Sequence, residues 1–331
     1  PALQLATLLK EKALTECFPP DGSYNRQVLG NHTHSTTCLM SSLAQYADLT
    51  RDSGIMNRVR SFYDKGLWQI RDEIGWVIES SREDADPDRG EINNTGDIVE
   101  TALILGKWGQ DKYYQDAERI LRGHFLPSQL RDVSFISEPP NPNNDDGLND
   151  IANRHLGAFG FPAPYGHKTL DGVRVSFNMD IVGGAVASLC EAFLLVSTFG
   201  DDGHRVNMLF DHETSDIAIE SPYTQSGFSI RVKRAGPLWV RMPDWVSDNV
   251  KVTGIDEQPV RTAGHLLISR PKVNRQIFIN FILAESTVTI RHRTRSFDVR
   301  LRGDAVVAME NFGADLTFFP AIYRLRIDLL G

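Results

Sequence analysis

Three carboxylates stand close together in GEINNTGDIVETALILGKWG, residues 90–109, around the start of a run with helical apolar spacing. Such groups can move protons, attack carbon or hold a cation, or they can simply begin a helix. Asp97 and Glu100, three positions apart and followed by Ala102, Leu103 and Leu105, have the spacing of a capping box, in which each side chain satisfies an orphan backbone N–H. That spacing predicts a helix starting at Asp97. Glu91 lies six positions earlier in a Gly- and Asn-rich stretch, where the capping rule gives it no role, so it is the candidate for chemistry.

Two further groups carry reactive side chains. His32 and His34 precede a helical stretch; at their spacing a strand would put both on one face, while a loop fixes neither. RHLGAFGFPAPYGHKT supplies Arg154, His155, Tyr165 and His167. A Tyr and a His beside an Arg that neutralises a uronate carboxylate are what C5 proton abstraction and protonation of the leaving oxygen require. The competing reading is an aromatic loop packed over a barrel mouth. NNDDGLND at 143–150 lacks the regular ligand spacing and terminal Glu of an EF-hand, and reads as a solvated turn.

The 331 residues, 41% hydrophobic and 24% charged, suffice for two domains with a core of their own. A net charge of −8 and scattered Lys and Arg argue against a nucleic-acid partner. With no run of eighteen apolar residues, no membrane span is expected. Cys17, Cys38 and Cys190 are far apart with no CxxC spacing, so they are expected as small buried hydrophobes. The chain opens at Pro1 on what reads as a helix already under way, so the true N-terminus is expected to be missing, and no compartment is assigned.

The elements that must position these groups fall into two halves. From about 36 to 199 apolar residues recur at helical spacing: Leu39, Met40, Leu43, Tyr46 and Ala47, then Ile55, Met56, Val59, Phe62 and Tyr63, with RDSG between them as a turn. Further stripes at 98–105, 114–121 and 181–193 extend the pattern, the last closing at Gly200, with an irregular Pro- and Asn-rich stretch at about 133–178. After FGDDG the period becomes two, at Val206, Met208 and Phe210, at Phe228, Ile230 and Val232, at Leu238, Val240 and Met242, and at Ile277, Ile279 and Phe281. The expected architecture is α+β and multidomain: helical hairpins over 1–200, which hold the catalytic residues, then an antiparallel β-sandwich over 201–331.

In order, HTHSTTCLMSSLAQYADLTRDSG, GWVIES, GEINNTGDIVETALILG, NMDIVGGAVASLCEAF and GPLWVRMPDWVSDNVKVTG resemble the glycoside hydrolases of family 127, the β-L-arabinofuranosidase-like enzymes. The resemblance spans about 30–290, and GPLWVRMPDWV is its most specific part. It implies an (α/α)6 toroid of helical hairpins followed by β-sandwich domains. Only about half of the twelve barrel helices are countable, so a missing N-terminal segment or a second copy of the chain is expected to complete the barrel.

The resemblance also implies a zinc and a cysteine nucleophile, held by a Glu-x-Cys pair and a Cys-Cys pair, with a further Glu upstream as acid/base. Here those positions read Glu91-Ile92-Asn93 and Met179-Asp180, so the thiolates are gone and no cofactor is expected; the alternative is a hard-ligand metal at Glu91, Asp180 and a His. The upstream acid/base falls on Glu79, with Glu83 as another alignment, and Trp76 beside it as a sugar-stacking face. Asp180 stands where the nucleophile is lost, as an oxygen nucleophile or base, or else as a helix cap. The expected function is therefore hydrolysis of a plant or microbial oligosaccharide by carboxylates drawn from Glu79, Glu91 and Asp180. Substrate contacts are expected from His32, His34, Trp76, Asn94, Arg154, His155, Tyr165 and His167. The alternatives are a uronate lyase and a non-catalytic sugar-binding relative.

Overall fold

The computed structural model describes residues 2–170 and 179–319, and at Met179 and Asp180 the backbone alone. Its helices are α1 (Ala2–Lys12), α2 (Arg26–Leu29), α3 (Thr33–Thr50), α4 (Ser53–Asp64), α5 (Ile92–Lys107), α6 (Lys112–Ile120), α7 (Ile151–His155) and α8 (Met179–Leu195). The predicted hairpin over RDSG is α3 and α4. Arg51 ends α3 at a left-handed φ of 57°, and Asp52 caps α4 by accepting from the Ile55 N–H at 3.0 Å.

Helix α5 lies among α3, α6 and α8 and is buried along most of its length. Its first turns read Ile-Asn-Asn-Thr-Gly, weak helix formers that tertiary contacts hold in place. Asn94 donates to Thr33 Oγ1 at 2.9 Å and accepts from Thr37, and Thr95 donates to the Gly75 carbonyl at 2.8 Å. Close approach to α8 requires glycine at two places: a Cβ on Gly96 would stand 2.5 Å from Ser188 Oγ, and one on Gly184 2.5 Å from Asn93 Oδ1.

The strands are β1 (Ser197–Gly200), β2 (Gly203–Val206), β3 (His212–Glu213), β4 (Ile217–Glu220), β5 (Phe228–Val232), β6 (Leu238–Arg241), β7 (Lys251–Thr253), β8 (Val260–Thr262), β9 (His265–Ile268), β10 (Gln276–Asn280), β11 (Glu285–Arg291), β12 (Ser296–Arg302) and β13 (Ala305–Met309). They form two five-stranded sheets, ordered β1-β2-β6-β9-β8 and β3-β4-β5-β10-β7, and a three-stranded sheet β11-β12-β13. All pairings are antiparallel except β2 with β6. The inward residues of both larger sheets join the helical apolar residues in one core.

Two local expectations change. The last helical stripe ends at Leu195, because Ser197–Gly200 turns back through Asp201 and Asp202 to pair with Gly203–Val206. Alternation at Met208 and Phe210 is not a strand; those residues connect β2 to β3, with Met208 buried and Phe210 beneath the Arg122 guanidinium.

The RMPDW segment bolts the halves together. Arg241 donates to Glu118 on α6 and to the Asn207 carbonyl, and Asp244 accepts from Gln115 while the Trp245 N–H reaches Asp304 at 2.8 Å. The third sheet has its own apolar cluster with Ile74, Ala163 and Tyr165.

Candidate active site

The site is assembled by the chain between α4 and α5. His32 bridges Ser80, the Thr33 N–H donates to the Glu79 carbonyl at 3.1 Å, and the Glu79 N–H to the Arg89 carbonyl at 2.9 Å. Ile78 bridges Gly90, whose N–H reaches the Pro162 carbonyl at 2.9 Å. These irregular pairings bring Glu79 and Glu91 up to the N-terminal end of α3.

Glu91 is the N-cap residue of α5 by backbone geometry, yet its side chain caps nothing. Its Oε2 lies 3.2 Å from His32 Nε2 and its Oε1 3.6 Å from His34 Nδ1. His34 Nε2 in turn lies 3.6 Å from Asp97 Oδ2, which accepts from Thr37 Oγ1 at 2.7 Å. Donor atoms of His32, Glu79 and Glu91 all fall within 4.8 Å of one another, as do those of His34, Cys38 and Asp97. Glu79 is braced by Arg89 at 2.6 Å, whose guanidinium stacks on Phe161. Glu91 is buried, whereas His32 is 56% exposed, so the cluster opens to solvent on the histidine side.

The capping box is not formed. Helix α5 starts at Ile92, so Asp97 and Glu100 sit inside it and face neighbouring helices. Glu100 accepts from Ser41 and from Ser188, both at 2.8 Å. Burial, together with Glu100 and Glu91 nearby, pushes the Asp97 carboxyl well above the usual carboxylate range, partly offset by the Thr37 hydroxyl. The cysteine expectation also fails: Cys38 and Cys190 are exposed and Cys17 is partly so.

Of the expected site residues, Glu79, Glu91, His32 and His34 are gathered. Asn94, fully buried, is spent on the two α3 hydroxyls. The Trp76 indole is buried as well, its N–H donating to the Pro162 carbonyl at 2.9 Å, so its faces meet protein rather than sugar. Arg154 pairs with Asp146, and His155 Nδ1 faces the Ile151 carbonyl of its own helix. Tyr165 donates to Asp88 at 2.7 Å, where Arg295 also binds, and His167 packs on Phe318. Among the described residues these four have different partners. Asp180 opens α8, with its side chain outside the described residues. Sequence reasoning missed Asp97, Cys38 and Arg89; the polar stripe Thr33, Thr36, Thr37, Ser41 was the signal that α3 meets α5 through polar contacts.

The chain superposes on a GH127 β-L-arabinofuranosidase from Geobacillus stearothermophilus T6 with a TM-score of 0.54 at 15% identity, over 83% of this chain and 46% of the other. A second solved structure, a GH127 β-arabinofuranosidase, gives 0.57 at 15% identity over 83% and 47%. This is a GH127-like fold. No family model matches the chain, and no curated protein matches it in sequence. The chain spans about half the length of these GH127 structures. The thiolate zinc set that the resemblance implies does not fit the residues present. Asn93 offers an amide in place of a thiolate, and its Oδ1 is buried against the Gly184 backbone. Among the described residues no helix is long and apolar enough to cross a membrane.

Proposed function

We propose that the protein is a glycoside hydrolase whose acting carboxyl groups are Glu79 and Glu91. One observation carries this reading: in a GH127-like fold, oxygens of these two side chains approach within 4.8 Å of each other beside the exposed His32. Hydrolysis of a glycoside needs two carboxyl groups across the scissile bond, and a close pair suits a retaining displacement while inverting enzymes need about 6.5–9.5 Å for a water. In this reading Glu79, braced by Arg89, acts as the nucleophile. Glu91, in contact with His32 and His34, protonates the leaving oxygen in this reading and then activates water.

The substrate we assign is a terminal β-L-arabinofuranoside on a plant or microbial oligosaccharide, the sugar named for the structural neighbour. The uronate lyase reading is not carried forward, since its four residues are dispersed over separate contacts.

The test is release of sugar from an aryl β-L-arabinofuranoside and from an oligosaccharide panel, comparing this chain with Glu79→Gln and Glu91→Gln. Saturated sugar released with retained configuration, and lowered about 100-fold or more in each variant, supports the reading. Unchanged turnover in both variants, or binding without turnover, sinks it.

A further inference from the structure

The side chains behind Glu91 form a set that its role as an acid does not use. His34 and Cys38 are four residues apart on α3 and so share one face of the helix, and Asp97 comes from the facing turn of α5. Their donor atoms, one nitrogen, one sulfur and one oxygen, lie within 4.8 Å of one another. Two ligands bound tetrahedrally to zinc at about 2.0–2.2 Å stand roughly 3.3–3.6 Å apart. His34 Nε2 and Asp97 Oδ2, at 3.6 Å, are already near that separation, and the sulfur of the exposed Cys38 belongs to the same group of donor atoms within 4.8 Å.

The surroundings match a metal site at one remove. Glu91 Oε1 lies 3.6 Å from His34 Nδ1, the nitrogen on the far side of the ring, which leaves Nε2 pointing at the set. A carboxylate on the second nitrogen fixes the tautomer and orientation of a ligating histidine. Thr37 donates to Asp97 at 2.7 Å and orients that carboxylate in the same way.

We propose that His34, Cys38 and Asp97 bind one divalent cation of borderline softness, zinc by the mixed nitrogen, sulfur and oxygen donor set, with a water completing the tetrahedron. This ligand set shares no residue with the Glu-x-Cys and Cys-Cys positions, and Glu91 orients a ligand instead of being one. The cation ties the start of α3 to α5 and holds His34 in the orientation that meets Glu91. It revises the expectation that the chain needs no cofactor. The site does not depend on the hydrolase reading, because its test involves no turnover.

The purified chain is stripped with chelator and equilibrated with zinc or cobalt(II), and bound metal is counted after removal of the free ion. One equivalent per chain is expected, and the cobalt form shows thiolate-to-metal charge transfer in the near ultraviolet. Cys38→Ser, at an exposed position, is expected to fold as the parent does, to lose the charge-transfer band and to weaken affinity at least 100-fold. Glu91→Gln keeps the band and weakens affinity about 10- to 100-fold. Failure of the parent chain to retain metal overturns the proposal. So does a Cys38→Ser variant that keeps full stoichiometry and affinity, which would move the metal to His32, Glu79 and Glu91.

Discussion

Glu91 Oε2 lies 3.2 Å from His32 Nε2, although 59 residues of chain separate them. The pair joins the buried carboxylate to the exposed edge of the site, and in the hydrolase proposed above His32 assists the proton transfer made by Glu91. His32→Ala is expected to lower kcat/KM on an arabinofuranoside about tenfold, less than Glu91→Gln, and to leave thermal stability within about 0.5 kcal/mol because the ring is mostly solvated. Initial rates and a melting curve on the same preparation decide this; a loss equal to that of Glu91→Gln would make His32 the acid.

Helix α6 and strand β6 are joined by a buried ion pair. Glu118 receives Arg241 at 2.5 Å, Arg122 at 3.0 Å and the Leu209 N–H at 3.0 Å. Removing one partner strands the other charges without water. Glu118→Ala should therefore cost about 3–5 kcal/mol, measured by urea unfolding. A cost under about 1 kcal/mol would mean the interface opens to solvent.

Asp72 is buried and accepts the Ile74 and Trp76 N–H groups, both at 3.0 Å, yet burial, with Glu73 nearby, pushes its pKa up to about 7. The folded state then holds a proton that the unfolded chain releases near pH 4, so stability from this group is full below pH 4 and is lost as pH rises to about 7. Relative to the parent, Asp72→Asn is expected to gain a few kcal/mol between pH 4 and 7 and no more above that. Chemical denaturation across this range, showing a flat difference, would refute the assignment.

The opposite sign holds for His124 and His167. Burial lowers them to about 3 and about 4, so their contribution is intact above pH 6.5 and is lost as pH falls toward those values. Unfolding at pH 5 should take up close to two more protons through these rings, and His124→Gln should remove one of them. Proton uptake measured by calorimetry in buffers of different ionisation enthalpy checks the count.

Helix α8 rests on α5 at Gly184, where an added methyl would stand 2.5 Å from Asn93 Oδ1. Gly184→Ala should cost about 1–3 kcal/mol through overpacking, despite the better helix propensity of Ala. A gain in melting temperature would show that α8 can move aside.

Amino-acid order alone determined the local periods: the α3–α4 hairpin around RDSG, the strands at 228–232, 238–241 and 276–280, and the change of period near residue 200 are legible because they depend on neighbours within a few positions. The likeness of short segments to a known family also points to Glu79, Glu91, His32 and His34, which the fold brings together. Only the tertiary structure decided what each side chain meets. Asp97 and Glu100 have capping spacing, but contacts from Thr33, Thr37 and Gly75 hold the preceding turns helical and turn both carboxylates inward. Trp76 and Tyr165 look like sugar contacts in sequence and are consumed by Pro162 and Asp88, more than seventy residues away along the chain in each case. Cys38 belongs to an apolar residue type, yet it lies on the exposed side of α3 next to His34 and Asp97. Periodicity says which face of an element is buried; the partner on that face comes from distant chain, and its identity is written only in the packing.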